Sequence, residues 1–269
     1  MGNIGTNVGA LSANYYLTGN SEALQNNIRK LSSGSRLSNG GDDAGGVAVS
    51  GELTARISRL NAGVDGLKDL VSIAQTSDGF LSTIQQQLTR MSELAQRATN
   101  GAFSDVDRAN YNMEFERLKT QISQISADAS FNGTTLFTTG SLTVSVSADG
   151  AQDVFLTSSL GNLTTLGLTG LTIGSTSAAA TAIGSLNLAI QSLARRRAEV
   201  AADISKFNFH IGNLRSESVT TSDANSKIYD LDVADETTKM SKNNIMLQAS
   251  TAILAQANTS QQNILTILR

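Results

Sequence analysis

No cysteine, proline or tryptophan occurs in this chain of 269 residues, and histidine occurs once, at His210. Without cysteine there is neither a disulfide framework nor a thiolate zinc site. Without proline no slow X-Pro isomerisation delays folding, and no helix is kinked by a missing amide donor. Aromatic residues make up only 4% of the chain, too few for a platform on which bases stack. Net charge is −3 and no basic run exceeds Arg195-Arg196-Arg197, so nucleic acid is excluded as a partner class. The wholly apolar runs fall far short of the ~20 residues that span a bilayer. The opening stretch MGNIGTNVGALSANYYL lacks the basic and continuous apolar regions of a cleavable secretory signal. Composition leaves a chain that stays in the cytosol or leaves by a route that reads no such signal.

What is present is helical periodicity, mirrored about the middle. From Leu67 an apolar stripe runs through Leu70, Ala74, Ser77, Leu81, Ile84, Leu88, Met91, Ala95 and Ala98. From Ile183 another runs through Leu186, Ile190, Leu193, Arg197, Val200, Ile204, Phe207, Ile211 and Leu214. Steps of three and four averaging 3.5 keep one seam against a partner helix. Such seams build rods and assemblies rather than catalytic clefts.

The first helix candidate covers Ile4 to Leu31, with Ile4, Val8, Leu11 and Tyr15 on one face; its stripe is interrupted at Thr18-Gly19-Asn20 and resumes as Leu24, Ile28 and Leu31. A glycine-dense stretch from Ser32 to Gly46 reads as a loop. A second helix starts near Val49. If unbroken from Leu53 to Ala98 it is roughly 69 Å long, whereas a compact domain of this chain's length has a radius of gyration of ~18 Å. An elongated molecule is the expectation. Asn100-Gly101 stops that helix, and a third carries Tyr111, Phe115, Leu118, Ile122, Ile125 and Ala129 before the Asn132-Gly133 turn. The period then changes to two: Leu142, Val144 and Val146, then Val154 and Leu156 beyond Asp149-Gly150, read as a β-hairpin. Residues 158–180 read as loop or weak strand. A polar stretch from Ser216 to Ser226 separates the Ile183 helix from a last amphipathic segment, Met240 to Leu268.

That last segment is apolar on two sides. Met240, Leu247, Leu254 and Leu268 recur at multiples of seven, and Met246, Ala249, Ile253, Ala257, Ile264 and Ile267 form a second strip. One partner helix covers only one such strip, and an isolated helix of this length is marginal in water. Both terminal arms are therefore expected to be loose in the free subunit and to bury their remaining faces against copies of the same chain. Head-to-tail contacts that do not close give helical filaments.

Leu31-Ser32-Ser33-Gly34-Ser35-Arg36-Leu37 followed by Asp42-Asp43-Ala44-Gly45-Gly46 resembles the N-terminal signature of bacterial flagellins. Phe131-Asn132-Gly133 is similar to the turn that ends that family's N-terminal helical block. Ser226, Ile228, Asp230, Asp232, Ala234 and Glu236 are similar to its C-terminal spoke segment, and Leu247-Gln248-Ala249, Leu254 to Asn258 and Leu268-Arg269 to its ending. Gly40-Gly41 and Gly46 depart from the commoner Ala- and Lys-containing loop.

The resemblance implies a mainly α fold: an elongated antiparallel helical bundle or coiled coil with a small β-hairpin region and paired N- and C-terminal helices. It implies inner arms at 1–35 and 236–269, an outer rod at 36–135 and 180–235, and a β element at 136–179. Large outer domains are missing, since the central segment is only some 50 residues. The implied function is a structural, non-enzymatic filament subunit for motility. The hook–filament junction protein of the same family is the alternative. The implied location is the extracellular flagellum, reached through the flagellar type III export apparatus with its chaperone. Filament cap and hook-junction proteins are the other implied partners, and no cofactor is implied. The residues expected to build the inner assembly core are Ile4, Val8, Leu11, Leu24, Ile28, Leu31, Leu247, Ile253, Leu254, Ile264, Leu265 and Leu268. Arg90, Glu93, Leu94 and Glu114 are similar to the family surface contacted by host innate receptors, notably Toll-like receptor 5. Leu94, off the Leu88–Met91–Ala95 seam, is expected to be exposed.

Other residue groups read as structural. Asp42-Asp43 lacks both the Lys-Ser/Thr of a phosphate loop and the spacing of an EF-hand, so an inter-helix loop is expected. His210 has no clustered carboxylates or nucleophile beside it. Arg197 falls on the stripe, where its stem packs while its head reaches a carboxylate, with Glu199 and Asp203 nearest in sequence. A membrane-binding amphipathic helix is disfavoured because the arms lack a basic flank.

Overall fold

The computed structural model describes residues 6–137, 140–147, 150, 152–158 and 163–267. They form helices α1 (Val8–Ser33), α2 (Ala44–Ala98), α3 (Asp105–Asp128), α4 (Thr176–Tyr229) and α5 (Val233–Ile267). Two antiparallel hairpins pair β1 (Ser130–Phe131) with β2 (Thr134–Thr135) and β3 (Gly140–Ser145) with β4 (Asp153–Ser158). The chain divides into two compact units, Ser58–Val219 and a second made of Met1–Ile57 with Thr220–Arg269.

In the 58–219 unit every member of the Leu67–Ala98 stripe is buried, Ser77 included. Phe115 and Ile122 of α3 and Leu186, Leu193, Val200, Phe207, Ile211 and Leu214 of α4 close the same core. Each such side chain contributes roughly 1.5–3 kcal/mol on burial. Helix α4 starts at Thr176, seven residues before the Ile183 stripe, because Ala179 and Ala182 extend its buried face. The preceding loop sends Leu166, Leu168 and Ile173 into the core. It is pinned there by the Ile173 amide donating to Asn112 Oδ1 (2.8 Å) and Lys119 Nζ donating to the Leu171 carbonyl (2.9 Å). Arg197 packs half-buried on the stripe and its head reaches a carboxylate, as expected, but that carboxylate is on α2: Arg197 donates to both oxygens of Asp78 and to Gln85 Oε1. Its neighbour Arg196 is buried and pairs with Glu199.

The β3–β4 hairpin sets Leu142 against Leu156 and Val144 against Val154, the alternation read from the sequence. In the smaller hairpin Asn132 and Gly133 both take positive φ (48° and 78°), as a two-residue turn demands. Helix α3 opens on a capping box. Ser104 Oγ and its backbone N–H donate to Asp107 Oδ2 (2.7 and 3.0 Å), while the Asp107 amide donates back to Ser104 Oγ. The Ser104 hydroxyl, then its amide, hold the Asp107 carboxyl below its ordinary value. A depressed folded value contributes stability that is complete above the unfolded pKa of ~3.9 and lost as pH falls through the lower folded one. Amides of the first α3 turn are expected to lose exchange protection only in that acid window. Asp107→Asn is expected to remove the acid step.

In the other unit α1 runs unbroken through Thr18-Gly19-Asn20, where the apolar stripe lapses but the helix candidate does not. Gly19 costs about 1 kcal/mol relative to Ala, which pairing with α5 offsets. Helix α1 ends at Gly34, whose φ of 66° gives a left-handed cap. A short antiparallel clip follows: the Arg36 amide donates to the Tyr229 carbonyl (2.8 Å), the Leu231 amide to Gly34 (3.2 Å), and Arg36 Nε to Ile228 (3.0 Å). Asp42 and Asp43 face Lys30 and Arg36, and Asp43 caps α2 by accepting from the Gly46 amide at 2.8 Å. A Cβ at Gly46 would stand 2.6 Å from the Asp43 carboxylate, whereas one at Gly45 would sit at an ordinary 3.6 Å. Gly45→Ala is expected to stabilise by about 0.5–1 kcal/mol. Gly46→Ala is expected to bring no gain, because displacing the cap costs about 1 kcal/mol. Paired thermal melts check this.

Helix α4 continues through the polar stretch Ser216–Ser226. Polar residues of α2 receive it: Ser218 Oγ donates to Asn61 Oδ1 within the 58–219 unit, and Asn225 Nδ2 to Thr54 Oγ1 within the other. Helix α5 starts at Val233, seven residues before Met240. Asp232 caps it by accepting from the Ala234 and Asp235 amides.

Candidate assembly surface

Helices α1 and α5 pair antiparallel, and the seam between them follows a strict three-four rhythm. On α1 the covered positions are Ala10, Ala13, Leu17, Asn20, Leu24, Asn27 and Leu31; on α5 they are Glu236, Met240, Asn243, Leu247, Ser250, Leu254 and Ala257. Direct contacts fix their levels. Asn7 Nδ2 donates to the Ala257 carbonyl (3.1 Å) and Asn20 Nδ2 to Ser250 Oγ (3.0 Å). Asn27, 7% exposed, accepts from the Met240 amide at 3.0 Å when its amide is oriented to donate to the Ala23 carbonyl. A Cβ on Gly9 would lie 3.8 Å from Ala257 Cβ.

The seam mixes leucines with small and polar residues, and further large apolar side chains point away from it. On α1, Val8, Leu11, Tyr15, Tyr16 and Ile28 are 50–78% exposed; on α5, Ile245, Met246 and Ile253 are 42–67% exposed. Tyr16, Ala13, Met246 and Ile253 line an open groove of about 360 Å³ between the two helices. Exposed large apolar side chains in this number mark an interaction surface.

Of the residues expected in the assembly core, Val8, Leu11, Ile28 and Ile253 lie on this outward face, while Leu24, Leu31, Leu247 and Leu254 are half-buried in the seam. Ile4 and Leu268 lie outside the described residues, and of Ile264 and Leu265 only the helical backbone is described. The sequence reading passed over Asn20, Asn27 and Ser250. Their signal was Asn20 and Asn27 standing one heptad apart on the Leu17–Leu24–Leu31 side.

The second surface group sits on the 58–219 unit. Arg90 donates to Glu114 through Nε (2.9 Å) and to Glu93 through Nη1 (3.1 Å), all three partly exposed. Leu94 departs from expectation: it is fully buried. Helix α2 has two covered flanks here, because α3 packs beside the Leu88–Met91–Ala95 seam and encloses Leu94. Among the described residues no cluster of three or more acidic or histidine side chains is placed to hold a metal, and no helix is long and apolar enough to cross a membrane.

Residues 4–141 match the bacterial flagellin N-terminal helical region, and residues 183–268 match the bacterial flagellin C-terminal helical region. The chain belongs to the bacterial flagellin family. The flagellar filament 30.7 kDa core protein of Treponema maltophilum is 34% identical, over 98% of this chain and 99% of that protein. Flagellin FlaB2 of Treponema pallidum (strain Nichols) is 30% identical over 99% of each, and the flagellin of Listeria monocytogenes 30% identical over 96% of each. A crystal structure of Bacillus cereus flagellin aligns with a TM-score of 0.51 at 25% identity, covering 56% of this chain and 88% of that one. The two matched regions leave residues 142–182 between them, so the family's helical blocks account for the chain's two ends.

Proposed function

We propose that the chain is the self-assembling structural subunit of a bacterial flagellar filament and has no catalytic role. The observation that carries this reading is the outward apolar face of α1 and α5. Val8, Leu11, Tyr15, Ile28, Ile245 and Ile253 stay exposed although the two helices are paired. Covering that face with neighbouring copies, at ~25 cal/mol per Å² of apolar surface, offsets the entropy of ordering the arms. Membership of the flagellin family and the filament-core names of its relatives support the same reading over the hook–filament junction alternative.

Several finer points belong to this proposal. Residues 1–35 and 236–269 form the inner layer of the assembly, and Ile4, Ile264, Leu265 and Leu268 belong with the other residues expected in its core. Residues 36–135 and 180–235 form the outer rod, and 136–179 a small β element on it. The subunit is secreted through the flagellar export apparatus with a chaperone and is placed beneath the filament cap, beyond the hook-junction proteins. Arg90, Glu93 and Glu114 present a surface to Toll-like receptor 5, with Leu94 supporting them from beneath. The test of the main reading is seeded growth of purified protein followed by electron microscopy. Long filaments are expected; short rings that stop growing would favour the junction protein, and dispersed monomers would refute assembly.

A further inference from the structure

The α1–α5 seam mixes polar with apolar residues level by level. Counting back in heptads from the Asn27–Met240 contact sets Leu24 beside Asn243, Asn20 beside Leu247 and Leu17 beside Ser250. The Asn20–Ser250 hydrogen bond and the Gly9–Ala257 approach agree with that count. Leucines alone would make this seam tighter, yet they would also tolerate a slip of one heptad, which places leucine on leucine again. Asn27 tolerates it, because its partners are the Ala23 carbonyl of its own helix and a backbone amide, and a slip only replaces the Met240 amide by that of Leu247. Asn20 does not. The same slide moves it from Ser250 to Ala257, and its amide loses the hydroxyl it donates to. A part-buried amide left without a partner is costly.

We infer that the Asn20–Ser250 pair is register-setting and fixes the level at which α1 and α5 pair. The consequence rests on the filament reading above. The groove between the helices is a composite, with Tyr16 on one and Met246 and Ile253 on the other, so a seven-residue slip displaces its halves by about 10.5 Å. The Asn20–Ser250 pair thus holds the halves at the level neighbouring copies must match.

The absence of cysteine gives a clean readout. Gly9→Cys with Ala257→Cys reports the observed register, since the 3.8 Å Cβ separation suits a disulfide. Tyr16→Cys with Ala257→Cys reports the one-heptad slip. Both pairs are oxidised in the full chain, in filaments and in solution, with asparagines intact and in the Asn20→Leu background. With asparagines intact the first pair is expected to close and the second to stay reduced. In the leucine background the ratio of the first to the second is expected to fall about fivefold or more, the factor set by one hydrogen bond, and filament growth to slow. Leu24→Ala is the control: it lowers arm stability but should leave the ratio unchanged. An unchanged ratio in the leucine background overturns the inference. So does an equal shift from Leu24→Ala, or failure of the first pair to close with the asparagines intact. Failure of that chain to grow filaments instead counts against the filament reading, and the disulfide ratio in solution still decides the register.

Discussion

Removing residues 240–269 is expected to abolish filament growth while leaving the 58–219 unit folded. The deletion takes most of α5, including Ile245, Met246 and Ile253 on the outward face and every seam residue from Met240 onward. Helix α1, at 26 residues, then has no partner, and isolated helices of that size are marginal in water. The 58–219 unit keeps its own core: Leu81, Ile84, Leu88, Phe115, Phe207 and Leu193 are fully enclosed without any contribution from α5. Seeded growth watched by electron microscopy should give no filaments, and the calorimetric transition of the core unit should persist. Normal filaments from the truncated chain would contradict the assignment of assembly to the arms.

Phe207→Ala is expected to have the largest effect on stability. Phe207 is fully buried on α4, and Phe-to-Ala changes in a packed core cost about 3–5 kcal/mol. For a unit of this size that lowers the melting temperature by roughly 6–20 °C, at ~2–4 °C per kcal/mol. Two residues along the same helix, Phe209 is 68% exposed. Phe209→Ala is expected to shift stability by no more than about 0.5 kcal/mol. Comparable losses from the two variants would mean that the face of α4 packed against the core is misassigned.

The helices of the 58–219 unit were legible because periodicity and burial coincide there. A residue such as Leu81 sits on the stripe and in the core for one reason, the 3.5-residue repeat. Leu94 was misread because a one-dimensional stripe encodes one partner, whereas α2 meets both α4 and α3 at that level. The apolar stripe lapses at Thr18-Gly19-Asn20 and Ser216–Ser226, yet the helices run on there, where partner helices supply polar contacts: Asn20 bonds Ser250, and Ser218 bonds Asn61. The arm seam was the least visible feature. A search for apolar stripes finds Val8, Leu11 and Tyr15, which face outward, and passes over Asn20 and Asn27, which face the partner. Gly46 was visible only as a departure from the family loop; the close approach of the Asp43 carboxylate gives its physical reason.

The arms carry apolar surface that their own pairing does not cover, and hydrogen–deuterium exchange on α1 and α5 tests that claim most directly. In dilute solution the amides of Val8–Ser33 and of the described part of α5 are expected to exchange rapidly, while the buried segments of α2 and α4 stay protected. In assembled filaments the same arm amides are expected to become strongly protected. Full protection of both arms in the dilute, unassembled chain would contradict the account.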